Sequence, residues 1–275
     1  VVLRAAEALA VAAAGTLAAV LLTKSARMVT PNAASIIGYL KTALPLMIAS
    51  LATLAYMRID QVMLGQMVAP DQLGKYSVAA RIAEVANFLP VVLQSTLYAA
   101  IVRNYHSAPN DFNCYMQRIY DVFGLIAWPT MIGIGLLSYF LLVPIFGQAF
   151  AGALPMLLVL LLGTPLFFLY YAWGTMLTVR EWMWAAPAVA SFGAVTNIVL
   201  NLVLIPEFGG AGAAVATVIS YGVASIGGSL IIGKLRPSAF AMIRALDPIQ
   251  SSRRLIAIYG YPLEKMTGKG DSHVK

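Results

Sequence analysis

Seven apolar runs of roughly twenty residues, separated by short polar connections, dictate what this chain can fold into. They cover about 3–22, 42–66, 77–102, 119–143, 154–178, 183–206 and 211–233. As a helix, a run of that length crosses the ~30 Å hydrocarbon core of a bilayer. Backbone groups inside lipid find no water, so only helices or closed barrels cross it. These runs are too long and continuous for the alternating strands of a barrel. Only 11% of the 275 residues are charged and 60% are hydrophobic, where a soluble protein carries about 25% charged residues. That much apolar surface exceeds what a core of its own can hide. The fold class is therefore an all-α integral membrane protein with about seven transmembrane helices.

The net charge of +7 would ordinarily suggest a nucleic-acid partner, but here position matters more than total. One set of alternate connections holds Lys24, Arg27 and Lys41, then Arg103 and Arg118, then Arg180, then a tail with Lys234, Arg236, Arg244, Arg253 and Arg254. The opposite set holds Lys75. Basic loops stay cytoplasmic, so the reading is a multi-pass protein with a cytoplasmic C-terminus, the bilayer as partner and no nucleic acid. Cys114 is alone, which excludes a disulfide framework. The start Val1-Val2-Leu3, with neither Met nor a basic leader, suggests a piece of a longer chain. No glycine-rich phosphate loop ends in Gly-Lys-Ser/Thr, and two histidines leave no metal cluster. Neither an enzyme nor a cofactor is expected.

Two neighbouring runs carry charges that hydrocarbon tolerates poorly. Arg58 and Asp60 lie on one, Arg81 and Glu84 on the next. Folding the two about a turn near Asp71 puts Asp60 opposite Arg81 and Arg58 opposite Glu84, all in the outer half of the membrane. Two readings follow. The four charges form a neutral clamp between helices, or Arg58 and Arg81 face an aqueous cavity and bind an anion through their planar donor forks. In the second case Asp60 and Glu84 balance the arginines or bind a coupling ion. Asn87 and Gln94 are cavity-lining candidates, as are Asn197 and Asn201, which are four apart on one face and suited to interhelical hydrogen bonding. The aromatic run Phe167, Phe168, Tyr170, Tyr171 and Trp173 is expected to form an interfacial belt. Prolines at 45, 90, 129, 155, 165 and 187 accompany small residues, which permits close helix contact or bending.

The stretch LPLMIASLATLAYMRIDQVMLGQM from Leu44, then LGKYSVAARIAEVANFLP, then NIVLNLVLIPEFGGAGAAVATVIS at 197–220, resembles the Wzx-type oligosaccharide (O-antigen/polysaccharide) flippases. These belong to the multidrug/oligosaccharidyl-lipid/polysaccharide exporter superfamily. The resemblance implies a C-terminal-lobe fragment: 1–33 the last helix of the N-terminal lobe and a cytoplasmic linker, 34–233 a six-helix second lobe, and 234–275 a basic, loosely structured tail. It implies flipping of undecaprenyl-diphosphate-linked oligosaccharide across the bacterial inner membrane by alternating access, coupled to an ion gradient. Arg58 and Arg81 become the candidates for the diphosphate or acidic-sugar site. Implied partners are the lipid-linked oligosaccharide, the missing N-terminal lobe of the same protein and the glycan polymerase machinery. Two rivals remain open: a multidrug/cation antiporter of the same superfamily, and a non-transporting scaffold of glycan assembly.

Overall fold

The computed structural model describes residues 58–182 and 184–259. The run at 3–22, most of that at 42–66, the boundary near 33 and the tail beyond 259 lie outside them. Among the described residues every regular element is helical, as the apolar runs require. Helix α1 (Ile59–Met67) turns at Val68 and Ala69 into α2 (Pro70–Val85), followed by α3 (Phe88–Ser107) and α4 (Phe112–Phe146). A 3₁₀ turn leads to α5 (Ala153–Leu161) and α6 (Thr164–Val179). Then come α7 (Ala185–Gly222), a π-helical turn and the short α8 (Gly228–Ile231).

The bilayer's role as solvent is visible on α4. Its second half shows lipid a continuous apolar face, with Ile132, Leu136, Phe140 and Ile145 all more than half exposed. Its first half is sheathed by protein, with Met116, Tyr120 and Phe123 buried. At 35 residues the helix is about 52 Å long, well beyond the ~30 Å core, so one end projects from the membrane. That is the end at which Arg103, Arg118 and Arg180 lie.

Helix α7 contains no loop, yet it is two spans. Gly209 leaves the helical region at φ 54° and ψ −132°, a conformation essentially reserved for glycine. Beyond it the chain reverses: Gly212 lies against the Leu204 carbonyl, and Gly228 against the Val189 side chain. A straight helix would hold Val189 and Gly228 about 58 Å apart. The arms 185–208 and 210–231 are thus antiparallel, matching the runs at 183–206 and 211–233. Small residues at the reversal, among them the buried Gly210, Gly212, Ala213 and Ala214, let the backbones approach closely.

The prolines mark boundaries more than bends. Pro90, Pro155, Pro165 and Pro187 each fall in the first turn of α3, α5, α6 and α7. There the missing N–H would have had no helical partner anyway. Pro129 and Pro144 are accommodated inside α4. The sharp break is at Leu162–Gly163, where α5 and α6 meet at 40°.

Two expectations are corrected. The aromatic run is no interfacial belt: Phe168 and Trp173 are fully buried in the core with Phe112, Tyr120 and Phe123. Aromatic content alone does not separate a belt from a helix-packing core. Nor is the tail loosely structured over 236–259. It folds into α9 (Arg236–Ala245) and α10 (Pro248–Tyr259), an antiparallel hairpin docked on α4. Ala239, Met242 and Ala245 bury one face of α9. Gly124 leaves room for the Ala245 carbonyl, and Trp128 Nε1 donates to Leu246 O at 3.2 Å. Asp121, only 1% exposed, accepts from Arg254 Nη2 at 2.6 Å and Ser251 Oγ at 3.1 Å.

Candidate functional site

Asp60 is the second residue of α1, so its carboxylate lies where backbone donors are free. The Gln61 N–H donates to Oδ1 at 2.8 Å. From α2 the Tyr76 hydroxyl donates to Oδ2, and the Tyr76 oxygen lies 3.4 Å from the Thr217 hydroxyl on the second arm of α7. All three residues are buried, Tyr76 completely. A chain of polar groups therefore joins three helices in an otherwise apolar packing of Leu64, Ala79, Leu157 and Ile205.

A cavity of about 60 Å³, room for a few waters, opens beside this chain. One wall is the α2 face carrying Tyr76, Ala80, Ala83 and Glu84, which recur at helical spacing, continued by Asn87 just beyond the end of α2. The opposite wall is the α5–α6 break, with Leu160, Gly163, Thr164 and Phe167. The break carries the helix axis aside and leaves the space vacant. Thr217 and Tyr221 close one side, with the Phe167 and Tyr221 rings 5.7 Å apart. With Gln61 beside Asp60, the lining combines two carboxylates with hydroxyls, two amides and aromatic rings.

The charges of the α1–α2 hairpin are only half arranged as expected. Arg58 meets Glu84 through two contacts, Nη1–Oε1 at 2.8 Å and Nη2–Oε2 at 3.3 Å. Asp60 does not meet Arg81. The turn is centred on Val68–Ala69, ahead of Asp71, so the residue at the depth of Asp60 is Tyr76. Five residues further on, Arg81 points about 140° away from Tyr76 around the helix. It is exposed and has no ion-pair partner among the described residues.

Of the remaining candidates, Asn87 lines the cavity, while Gln94, Asn197 and Asn201 do not. Asn201 Nδ2 donates to Asn197 Oδ1 at 2.9 Å, within one helix and not between two. Tyr76, Thr164, Thr217 and Tyr221 were not singled out from the sequence. Uncharged hydroxyls in a span are too common to announce a site, and Tyr76 stands only as one residue of the stretch LGKYSVAARIAEVANFLP.

A family model described as polysaccharide biosynthesis protein matches residues 5–155, more than half of the chain. The matched stretch includes Arg58, Asp60, Tyr76, Arg81 and Glu84. No curated protein and no solved structure matches.

Proposed function

Because the chain belongs to the polysaccharide biosynthesis protein family, we propose that it flips undecaprenyl-diphosphate-linked oligosaccharide units across the bacterial inner membrane, with its C-terminus cytoplasmic. The observation that carries this reading is Arg81. It is exposed on α2 and has no ion-pair partner among the described residues. A guanidinium turned to hydrocarbon is costly, so this face reads as the wall of an aqueous passage. Arg81 and Glu84 are one turn apart on α2 and share a face, which sets Arg81 beside the Arg58–Glu84 pair. Two guanidinium forks so placed suit a diphosphate.

Glu84 neutralises Arg58 when the passage is empty. An incoming diphosphate competes for the same guanidinium, and the displaced carboxylate, left without its counter-charge, can take a cation in its place. Anion binding on the passage side is thereby linked to cation uptake on the cavity side, which is a route to coupling with an ion gradient. Alternating access would arise as this lobe rocks against a second, N-terminal one.

One observation favours the cation-antiporter reading: the cavity itself is lined by Asp60, Glu84 and the rings of Phe167 and Tyr221. The deciding experiment is complementation of a flippase-deficient strain with the full-length parent gene carrying Arg58→Gln or Arg81→Gln. Loss of surface glycan in either supports the diphosphate site. Normal glycan from both, with cation-dependent drug resistance lost in Asp60→Asn, replaces it with the antiporter.

A further inference from the structure

The α9–α10 hairpin is not absorbed by the transport reading. Helix α9 runs along α4 in the same direction: Gln117 Nε2 bonds the Ala241 carbonyl at 3.1 Å, and Trp128 bonds Leu246 five residues later. Helix α10 then runs back, with Arg254 and Ser251 returning to Asp121. The tip of the hairpin therefore lies at the level of Trp128. The lipid-facing side chains of α4 begin at Ile132, one helical turn or about 6 Å further on. The hairpin thus ends where the hydrocarbon begins.

Its outward faces suit that level. On α9 the face opposite Ala239 and Met242 carries Phe240 and Ile243, 54% and 43% exposed, flanked by exposed Arg236 and Arg244. On α10 it carries Ile249 and Ile256, 63% and 68% exposed, with Arg253 between them. Asp247 is the one acid between residues 234 and 259. Its carboxylate is engaged in capping α10, accepting from the N–H groups of Ile249 and Gln250 at 2.9 and 3.1 Å. Both exposed faces are therefore apolar and cationic with no opposing charge, the pattern of helices that seat on anionic headgroups.

We propose that the α9–α10 hairpin is a docking element for the anionic lipid surface of the leaflet it abuts. Ile243 and Ile249, beside the tip, enter the acyl boundary, and Arg244 and Arg253 engage lipid phosphates. Asp121, by holding Arg254, fixes the hairpin at the angle that presents these faces.

The test uses the full chain in a Cys114→Ser background, reconstituted into phosphatidylcholine vesicles with or without phosphatidylglycerol. An environment-sensitive thiol probe is placed at Ile243→Cys or Ile249→Cys. A parallel label at Phe140→Cys confirms correct insertion. With phosphatidylglycerol present, nitroxide-bearing lipid should quench the hairpin labels and aqueous iodide should not. Arg244→Gln and Arg253→Gln should each weaken the seated state about fivefold. Raised salt should weaken it without any substitution. Equal iodide quenching in both lipids would show a hairpin standing free in water and overturn the proposal. A label shielded from iodide and from nitroxide lipid alike would show a protein cover and overturn it too. Quenching by nitroxide lipid that ignores phosphatidylglycerol would remove the anionic part of the claim.

Discussion

Glu84 holds Arg58 across the α1–α2 turn by two nearly parallel contacts of 2.8 and 3.3 Å. Both side chains remain more than two-fifths exposed, so the pair adds only about 0–1 kcal/mol to stability. Its worth lies in the exchange of partners it allows.

Substitution at this pair should therefore alter transport more than folding. Arg58→Glu and Glu84→Arg are each expected to abolish surface glycan, and the double exchange to restore part of it. Export and detergent melting temperature, measured together, check this. A melting temperature that falls by many degrees in either single variant would reassign the pair to a structural clamp.

The Asp60–Tyr76 contact has the opposite character, because both partners are buried. Tyr76→Phe removes a donor from a buried carboxylate, a loss of about 1–3 kcal/mol. Thermal unfolding should report it, and Asp60→Asn combined with Tyr76→Phe should cost less than the two losses added together.

Gly209→Ala is expected to be severe for a single added carbon. The backbone conformation there strains any L side chain by about 1–3 kcal/mol. A Cβ would also run into the Gln72 side chain, whose Oε1 accepts the Gly210 N–H at 3.2 Å. Yield and melting temperature of Gly209→Ala beside Gly222→Ala check this, since Gly222 has space for a methyl group.

The Asp121 carboxylate holds the Arg254 guanidinium above its already high pKa. A base raised in the folded state contributes stability at low pH that disappears only as pH rises through its folded pKa. For arginine that point lies beyond the working range, so the protection of α10 amides, relative to their intrinsic base-catalysed exchange, should persist into strongly alkaline buffer. In Arg254→Lys the same protection should fade above about 10.4, as pH rises through the raised pKa of a lysine beside Asp121. Identical alkaline profiles for the two proteins would mean that Asp121 does not secure the hairpin.

How much of this was legible depended on how local each signal was. The spans at 77–102 and 119–143 follow from apolar length alone, and even the loop-free reversal at Gly209 shows as Pro206, Glu207 and Gly209 between two runs. The Arg58–Glu84 pair was legible because long side chains tolerate error in register. Asp60 is short, and placing the turn at Asp71 when it lies at Val68–Ala69 redirected its partner from Tyr76 to Arg81. Helices α9 and α10, 10 and 12 residues long, are marginal by themselves. They are ordered by Gly124, Asp121 and Trp128 on α4, more than a hundred positions away, which no local pattern announces.

The reversal at Gly209 also limits what the chain can become. Loops absorb added residues because nothing downstream depends on their phase. Here there is no loop, and each inserted residue turns the following arm by about 100°. One extra residue between Leu204 and Gly212 would swing Ala213, Thr217 and Ser220 out of their packing and bring the exposed Val215 and Ile219 toward the cavity. Length at this point is as constrained as sequence, and tags, epitopes or natural insertions that other membrane turns accept should be rejected here.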